Sequence, residues 1–181
     1  MSATSTKEKV ADLVATFKST GRLVIVGASL AGLRAAEALR KEGFTGPLTI
    51  IGDEPEEPYD RPPLSKQVLK GWVPADHTKL PRVRQVDAEW RLGIAATGLD
   101  RVTKQVRLAN GEQVPYDRLL IATGTRAREW PNAKEAALEG VYTIRTSTDA
   151  AGLQKALAAK PGRVLVHRRR LYWVGSGLGL P

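Results

Sequence analysis

Hydrophobic spacing changes period several times along the chain. In residues 1–20, Val10, Leu13, Val14 and Phe17 fall at helical intervals within a stretch rich in Ser, Thr, Ala and Lys, which predicts a flexible tail or short helix. The stretch has no long apolar run of the kind a secretory leader needs. It has no Arg and contains Glu8 and Asp12, so it is also unlike a mitochondrial presequence. Leu23–Val26 is a continuous, β-branched apolar run, the pattern of a strand buried on both faces. Helical spacing follows over 33–41 and ends at Gly43, and a second apolar run occupies Leu48–Ile51. Residues 53–63 hold four prolines and five acids, which excludes a helix or a central strand; a helical pattern resumes to Lys70.

Residues 77–89 are polar and read as loop, with His77 on the surface, and 90–97 reads as a strand. Residues 102–108 alternate, Asn110-Gly111 supplies a type I′ turn, and 112–115 returns, which predicts a β-hairpin. Residues 116–124 form another apolar run, ending Ala122-Thr123-Gly124. Ser147 or Thr148 caps a helix that runs through 153–159 and stops near Pro161-Gly162, and 163–166 reads as a further strand. Buried strands separated by helices, with one hairpin, predict an α/β fold: a doubly wound parallel sheet with a small antiparallel insert.

Composition narrows the chemistry. The 181 residues hold no cysteine and two histidines, which excludes disulfides, thiolate zinc sites and paired-cysteine redox centres. No run of eighteen apolar residues occurs, so no membrane span is predicted. Lys and Arg number 28 against 19 acids, for a net charge of +9.

The candidate chemistry sits where the first strand meets the first helix. Gly27-Ala28-Ser29-Leu30-Ala31-Gly32 lies between an apolar strand and a helix, with Asp53 after the next strand. Gly27 suits a tight turn and Gly32 suits close helix–sheet packing, while the helix N-terminus suits a pyrophosphate. Asp53 suits the hydroxyls of a ribose. Ser29 replaces the middle glycine of the usual pattern and keeps most of the room because it is small.

Three strings together, GASLAG, IIGDE and PYDRPPLSKQVLKG, resemble the N-terminal FAD domain of the NAD(P)H-dependent ferredoxin reductases, the putidaredoxin- and rubredoxin-reductase type of flavoprotein. The likeness extends over 22–166, and PYDRPPLSK is its most specific part. The resemblance implies a Rossmann-like FAD domain. It assigns the FAD pyrophosphate to Gly27, Ala28, Ser29, Ala31 and Gly32, and the adenosine ribose to Asp53 and Glu54. It carries Arg61 and Lys66 to the flavin side, with Lys66 beside the isoalloxazine ring as the catalytic candidate. A cation there stabilises reduced, anionic flavin. It places Ala95 near adenine through backbone groups. Ala122, Thr123 and Gly124 resemble the second marker of flavoproteins with two dinucleotide domains. NAD(P)H is implied as co-substrate, a ferredoxin-type iron–sulfur protein as partner, and no metal. A basic surface suits an acidic ferredoxin by steering.

After 163–166 the family begins its second glycine motif, but this chain reads His167-Arg168-Arg169-Arg170-Leu171-Tyr172-Trp173 and ends at Pro181. Back-translated with GC-rich codons and read one base later, the tail encodes Ile-Gly-Gly-Gly-Phe-Ile-Gly-Ser-Glu-Val-Ala, the expected motif. The tail is therefore read as frame-shifted. The expected organisation is a flexible tail (1–20), an FAD-binding domain (21–161), the first strand of an incomplete NAD(P)-binding domain (162–166), and an aberrant tail (167–181). The chain is expected to be cytoplasmic, to retain FAD weakly or not at all, and to lack reductase activity by itself. A non-enzymatic flavin- or nucleotide-binding module is the alternative, as is a basic tail recruiting nucleic acid. Neither nucleic acid nor a membrane is an expected partner. The tail holds three of the 28 basic residues and none of the 19 acids, so the rest carries +6.

Overall fold

The computed structural model describes residues 3–81 and 86–166. The chain divides into two compact units, Met1–Tyr59 with Lys79–Thr125, and Asp60–Thr78 with Arg126–Pro181. The expected 21–161 domain is thus shared between two interleaved units.

In the first unit, helix α1 (Ala3–Thr20) leads to β1 (Leu23–Val26), α2 (Leu30–Lys41) and β2 (Leu48–Ile51). Then come β3 (Glu89–Arg91), β4 (Ala96–Asp100), β5 (Gln105–Leu108), β6 (Gln113–Pro115) and β7 (Arg118–Ile121). A parallel sheet has the order β3-β2-β1-β7, and a separate antiparallel sheet has the order β4-β5-β6. This is the expected α/β class with its small antiparallel insert.

Alternation along β1 and β2 feeds two cores. Leu23, Ile25, Leu48 and Ile50 pack with Leu33, Ala36, Phe44 and Val86, with Leu39 of α2 against them. Val24 and Ile51 point the other way, to Val106, Leu108, Val114 and Tyr116 from around the antiparallel insert. Two covered faces explain why β1 is apolar throughout and β2 is apolar but for the half-buried Thr49, whose hydroxyl donates to Glu89.

Of the two forms expected for residues 1–20, flexible tail or short helix, the chain takes the helix, α1, over 18 residues. Its last turn is held by Phe17, packed on the first core with its ring 5.9 Å from that of Phe44. The Lys18 carbonyl accepts the amides of Thr45 (2.8 Å) and Gly46 (2.9 Å), and Lys18 Nζ donates to the Glu42 carbonyl at 2.8 Å.

Three more expectations change here. The single strand expected over 90–97 is two strands in different sheets, because Gly93 at φ +75° turns the chain between β3 and β4. The hairpin joins β5 to β6 as expected, but not through a type I′ turn. Such a turn needs positive φ at two positions, and here Gly111 (φ +86°) has it while Asn110 does not. Gly111 N donates to Leu108 O (3.0 Å) and Leu108 N to Glu112 O (2.9 Å), a three-residue loop with glycine in the left-handed position.

The second unit holds a short 3-10 helix (Pro62–Ser65), a second one (Ala75–His77), α3 (Ala133–Ala136) and α4 (Ser147–Ala158). The helical pattern expected to Lys70 is realised as this 3-10 turn followed by irregular turns, closed by Gly71 at φ +72°. His77 is exposed, as expected. The cap of α4 is Thr146, not Ser147 or Thr148. Its hydroxyl accepts the Asp149 amide at 3.1 Å, and the Asp149 carboxylate accepts the Thr146 amide at 2.9 Å, a reciprocal capping box. Leu64, Val68 and Ala150 are buried.

Residues 163–166 form no strand, contrary to expectation, and Val164, Leu165 and Val166 are exposed. A short apolar run becomes a strand only where a neighbour offers a ladder, and among the described residues none pairs with it. The tail read as frame-shifted, 167–181, lies outside the described residues.

Candidate cofactor-binding site

The first unit gathers the glycine turn at the carboxyl ends of three parallel strands. The register sets Val26 opposite both Ile51 of β2 and Ile121 of β7. The chain leaves β1 through Gly27 at φ +123°, a conformation that L side chains rarely adopt. Gly27 N donates to Ile51 O at 2.8 Å, and Ala122 N donates to Val26 O at 2.7 Å. A Cβ on Gly27 would lie 2.2 Å from the Ala122 carbonyl oxygen and 2.8 Å from Thr123 N. A Cβ on Gly32 would lie 1.9 Å from the Gly27 carbonyl oxygen. Both glycines are needed because backbone touches backbone.

Ser29 is the N-cap of α2, yet its side chain makes no capping hydrogen bond. Its carbonyl accepts the Leu33 amide at 2.9 Å. The first-turn amides of a helix have no partners four residues back, and they sit at the positive end of the helix dipole. Leu30 and Ala31 are exposed there, and Ala28 and Ser29 are half-buried. This end of α2 has the donors and the partial charge that an anion needs.

Asp53 and Glu54 follow β2. Asp53 is exposed, while Glu54 is half-buried and its carboxylate accepts the Tyr59 hydroxyl. Gly93 N donates to the Glu54 carbonyl at 3.0 Å, which holds the start of the proline-rich loop against the end of β3. Ala95 is half-buried, and its carbonyl accepts the Ala109 amide at 2.9 Å. Ala122 packs on the first core, whereas Thr123 and Gly124 (φ +66°) are exposed just beyond β7.

Arg61 and Lys66 belong to the second unit. Arg61 precedes the 3-10 turn, and its Nη1 donates to the Arg145 carbonyl at 2.9 Å. Lys66 ends that turn. It is exposed, and its Nζ donates to the Pro62 carbonyl at 3.4 Å.

Two residues of the site region escaped the sequence reading. Gly52 lies under the glycine turn, where a Cβ would meet the Ala28 Cβ at 2.6 Å. Tyr59 orients Glu54, and an aromatic five residues after an acid carries no signal.

At the opposite end of the strands, Arg22 and Asp117 close the sheet. Asp117 accepts the Arg22 backbone amide at 2.8 Å and the guanidinium at 3.0 and 3.2 Å. Those bonds hold its carboxyl well below the ordinary range, at about 2.

Residues 21–178 match the sequence model of the pyridine nucleotide-disulphide oxidoreductase family. The chain is 39% identical over 158 residues to the ferredoxin–NAD(+) reductase component of the biphenyl dioxygenase system of Paraburkholderia xenovorans, covering 86% of this chain and 36% of that protein. It is 42% identical over 161 residues to a probable ferredoxin reductase of Castellaniella defragrans, covering 86% of this chain and 37% of that one. Among solved structures, the covalent complex of putidaredoxin reductase with putidaredoxin aligns with a TM-score of 0.67 at 33% identity, over 77% of this chain and 34% of that one. The chain spans little more than a third of the length of the curated relatives it matches.

Proposed function

The chain belongs to the pyridine nucleotide-disulphide oxidoreductase family, and from that premise we propose that it is the FAD-cradling part of an NAD(P)H-dependent reductase of ferredoxin-type iron–sulfur proteins. One observation carries this reading: Gly27 and Gly32 leave no space for a Cβ, while the hydroxyl of Ser29 leaves the first turn of α2 uncapped. The residues present fit a dinucleotide. Amides at the start of α2, Ala31 among them, would hold the pyrophosphate, with Ala28 and Ser29 lining the turn. Asp53 and Glu54 accept hydrogen bonds from ribose hydroxyls, with Tyr59 fixing the Glu54 carboxylate. By the resemblance, backbone groups at Ala95 would meet adenine, and the small residues Ala122, Thr123 and Gly124 would allow close approach of the cofactor.

When bound, FAD supplies the step that joins two-electron hydride chemistry to one-electron transfer. The chain's own residues bind and orient it. The resemblance, rather than the geometry, carries Arg61 and Lys66 to the flavin end, where Lys66 contributes positive charge.

Read with a frame-shifted tail, the 181-residue chain holds FAD weakly and does not turn over NAD(P)H by itself. The test is FAD titration of the purified chain, followed by flavin fluorescence, alongside Gly27→Ala. The expected result is weak binding that the substitution removes; equal binding by both proteins overturns the cradle. Sustained NADH oxidation with a ferredoxin by the chain alone overturns the claim of inactivity. Sequencing the encoding DNA through the codons for 167–181 tests the frame shift.

A further inference from the structure

The family match begins at residue 21, so α1 lies wholly before it. Phe17 and Lys18 fasten its last turn, yet on the same face Val10, Leu13 and Val14 are 53%, 69% and 50% exposed. At about 100° per residue, Val10, Leu13, Val14 and Phe17 form one stripe. Lys7 and Lys18 border it on one side and Lys9 on the other, each about 70–90° from its centre, whereas Glu8 and Asp12 sit about 150–170° away. Lys7, Glu8, Lys9 and Asp12 are all exposed.

This arrangement discriminates between occupants. Lysines along both borders would repel their counterparts if the stripe packed against a second copy of itself. Against a phospholipid surface Lys7 and Lys9, one on each border, extend from the apolar boundary to the phosphates, while Lys18 stays on the Glu42 carbonyl and the acids face water. We propose that α1 is an interfacial helix that lays its Val10–Leu13–Val14 stripe on an anionic phospholipid surface. It lies on the bilayer and does not cross it; among the described residues no helix is long and apolar enough to span. The sequence alone did not suggest a membrane partner, because the stripe holds only three exposed aliphatic residues and its borders become visible only once the helix is formed. The small stripe predicts weak, salt-sensitive, reversible binding. This proposal is independent of the cofactor reading.

The test is co-sedimentation of the 181-residue protein with vesicles of phosphatidylglycerol and phosphatidylcholine, against vesicles of phosphatidylcholine alone. The expected result is binding to the anionic vesicles that falls at least tenfold in Leu13→Asp and in the double variant Lys7→Glu, Lys9→Glu. Both changes lie on exposed positions away from the core, and circular dichroism confirms the fold. Because the chain has no cysteine, Val14→Cys gives a unique point for an environment-sensitive dye, whose emission should shift to the blue on the anionic vesicles. Absence of binding overturns the proposal, as does binding that Leu13→Asp leaves intact, which would place the contact elsewhere in the chain. A concentration-dependent dimer that Leu13→Asp dissolves, without lipid binding, assigns the stripe to a second copy and also overturns it.

Discussion

The unit built on the parallel sheet buries its apolar residues on both faces of β1 and β2, whereas the unit formed by Asp60–Thr78 and Arg126–Pro181 leaves Trp72, Leu138, Val141, Tyr142 and Ile144 in solvent. The contrast runs against the information in the sequence. PYDRPPLSK, the most specific string, contributes its DRPPLSK end to the unit with few buried side chains. The glycine turn, a commoner signal, sits on the better-built core. A motif can therefore be distinctive without being where the folding energy resides. In this chain the cradle is rigid because it is backbone packed on backbone, while the proline-rich segment is shaped mainly by its own turns and by hydrogen bonds such as Arg61 to Arg145.

The largest expected effect comes from Gly32→Ala. The new methyl overlaps the Gly27 carbonyl oxygen, so α2 must move off the turn. The expected loss is about 3 kcal/mol or more, the upper end of overpacking costs, with FAD binding lost as well. Urea unfolding followed by tryptophan fluorescence measures the first and flavin titration the second. A wild-type midpoint in this variant would break the claim that the cradle is close-packed.

Leu33→Ala and Leu64→Ala test the contrast directly. Both side chains are buried, but Leu33 is one of the eight buried residues of a core cluster, whereas Leu64 belongs to neither of the two core clusters. Large-to-small changes cost more where the surroundings cannot collapse, so about 3 kcal/mol is expected for Leu33 and about 2 kcal/mol for Leu64. Equal losses in urea would mean that the second unit is as tightly built as the first.

Thr146→Ala removes one half of the capping box on α4. About 1 kcal/mol is expected, the usual value for an N-cap. Hydrogen exchange should show the loss confined to α4 and its neighbours, with the amides of β1 and β2 unchanged. A loss shared equally by β1 and β2 would show that the two units unfold together.

The same contrast explains what could be read from the sequence. β1 and β2 were legible to the residue because burial on both faces demands a short apolar run, interrupted in β2 only by Thr49. Gly27 and Gly32 were legible because a special turn and a close helix are local requirements. Gly52 was not, since its need arises only when Ala28 is brought over it. The 90–97 run misled because its Leu92-Gly93-Ile94 centre keeps apolar character while Gly93 turns between sheets. Gln67, Val68 and Leu69 carry a helical pattern, but the neighbouring prolines and Gly71 allow only turns. The run 163–166 has strand composition and no ladder, and composition cannot supply a partner.

The smallest effect is at the far end of the better-built unit, and it depends on pH. Asp117 ties the start of β7 to the start of β1 through the Arg22 guanidinium and backbone amide, and its pKa falls from 3.8 to about 2. A depressed carboxylate stabilises the fold fully above its unfolded pKa and loses that contribution as pH falls through the folded value. The stabilisation should therefore be constant above about pH 4–5 and disappear between there and pH 2. The side chains of Arg22 and Asp117 are 49% and 36% exposed, so solvent screening reduces the contribution to about 1 kcal/mol or less. Asp117→Asn should lower the urea midpoint slightly at pH 7 and leave it matching the wild type near pH 2. Raised salt should shrink the difference at neutral pH. A gap between the two proteins that persists unchanged at pH 2 would mean that packing at this corner, not the charge, holds the two strands together.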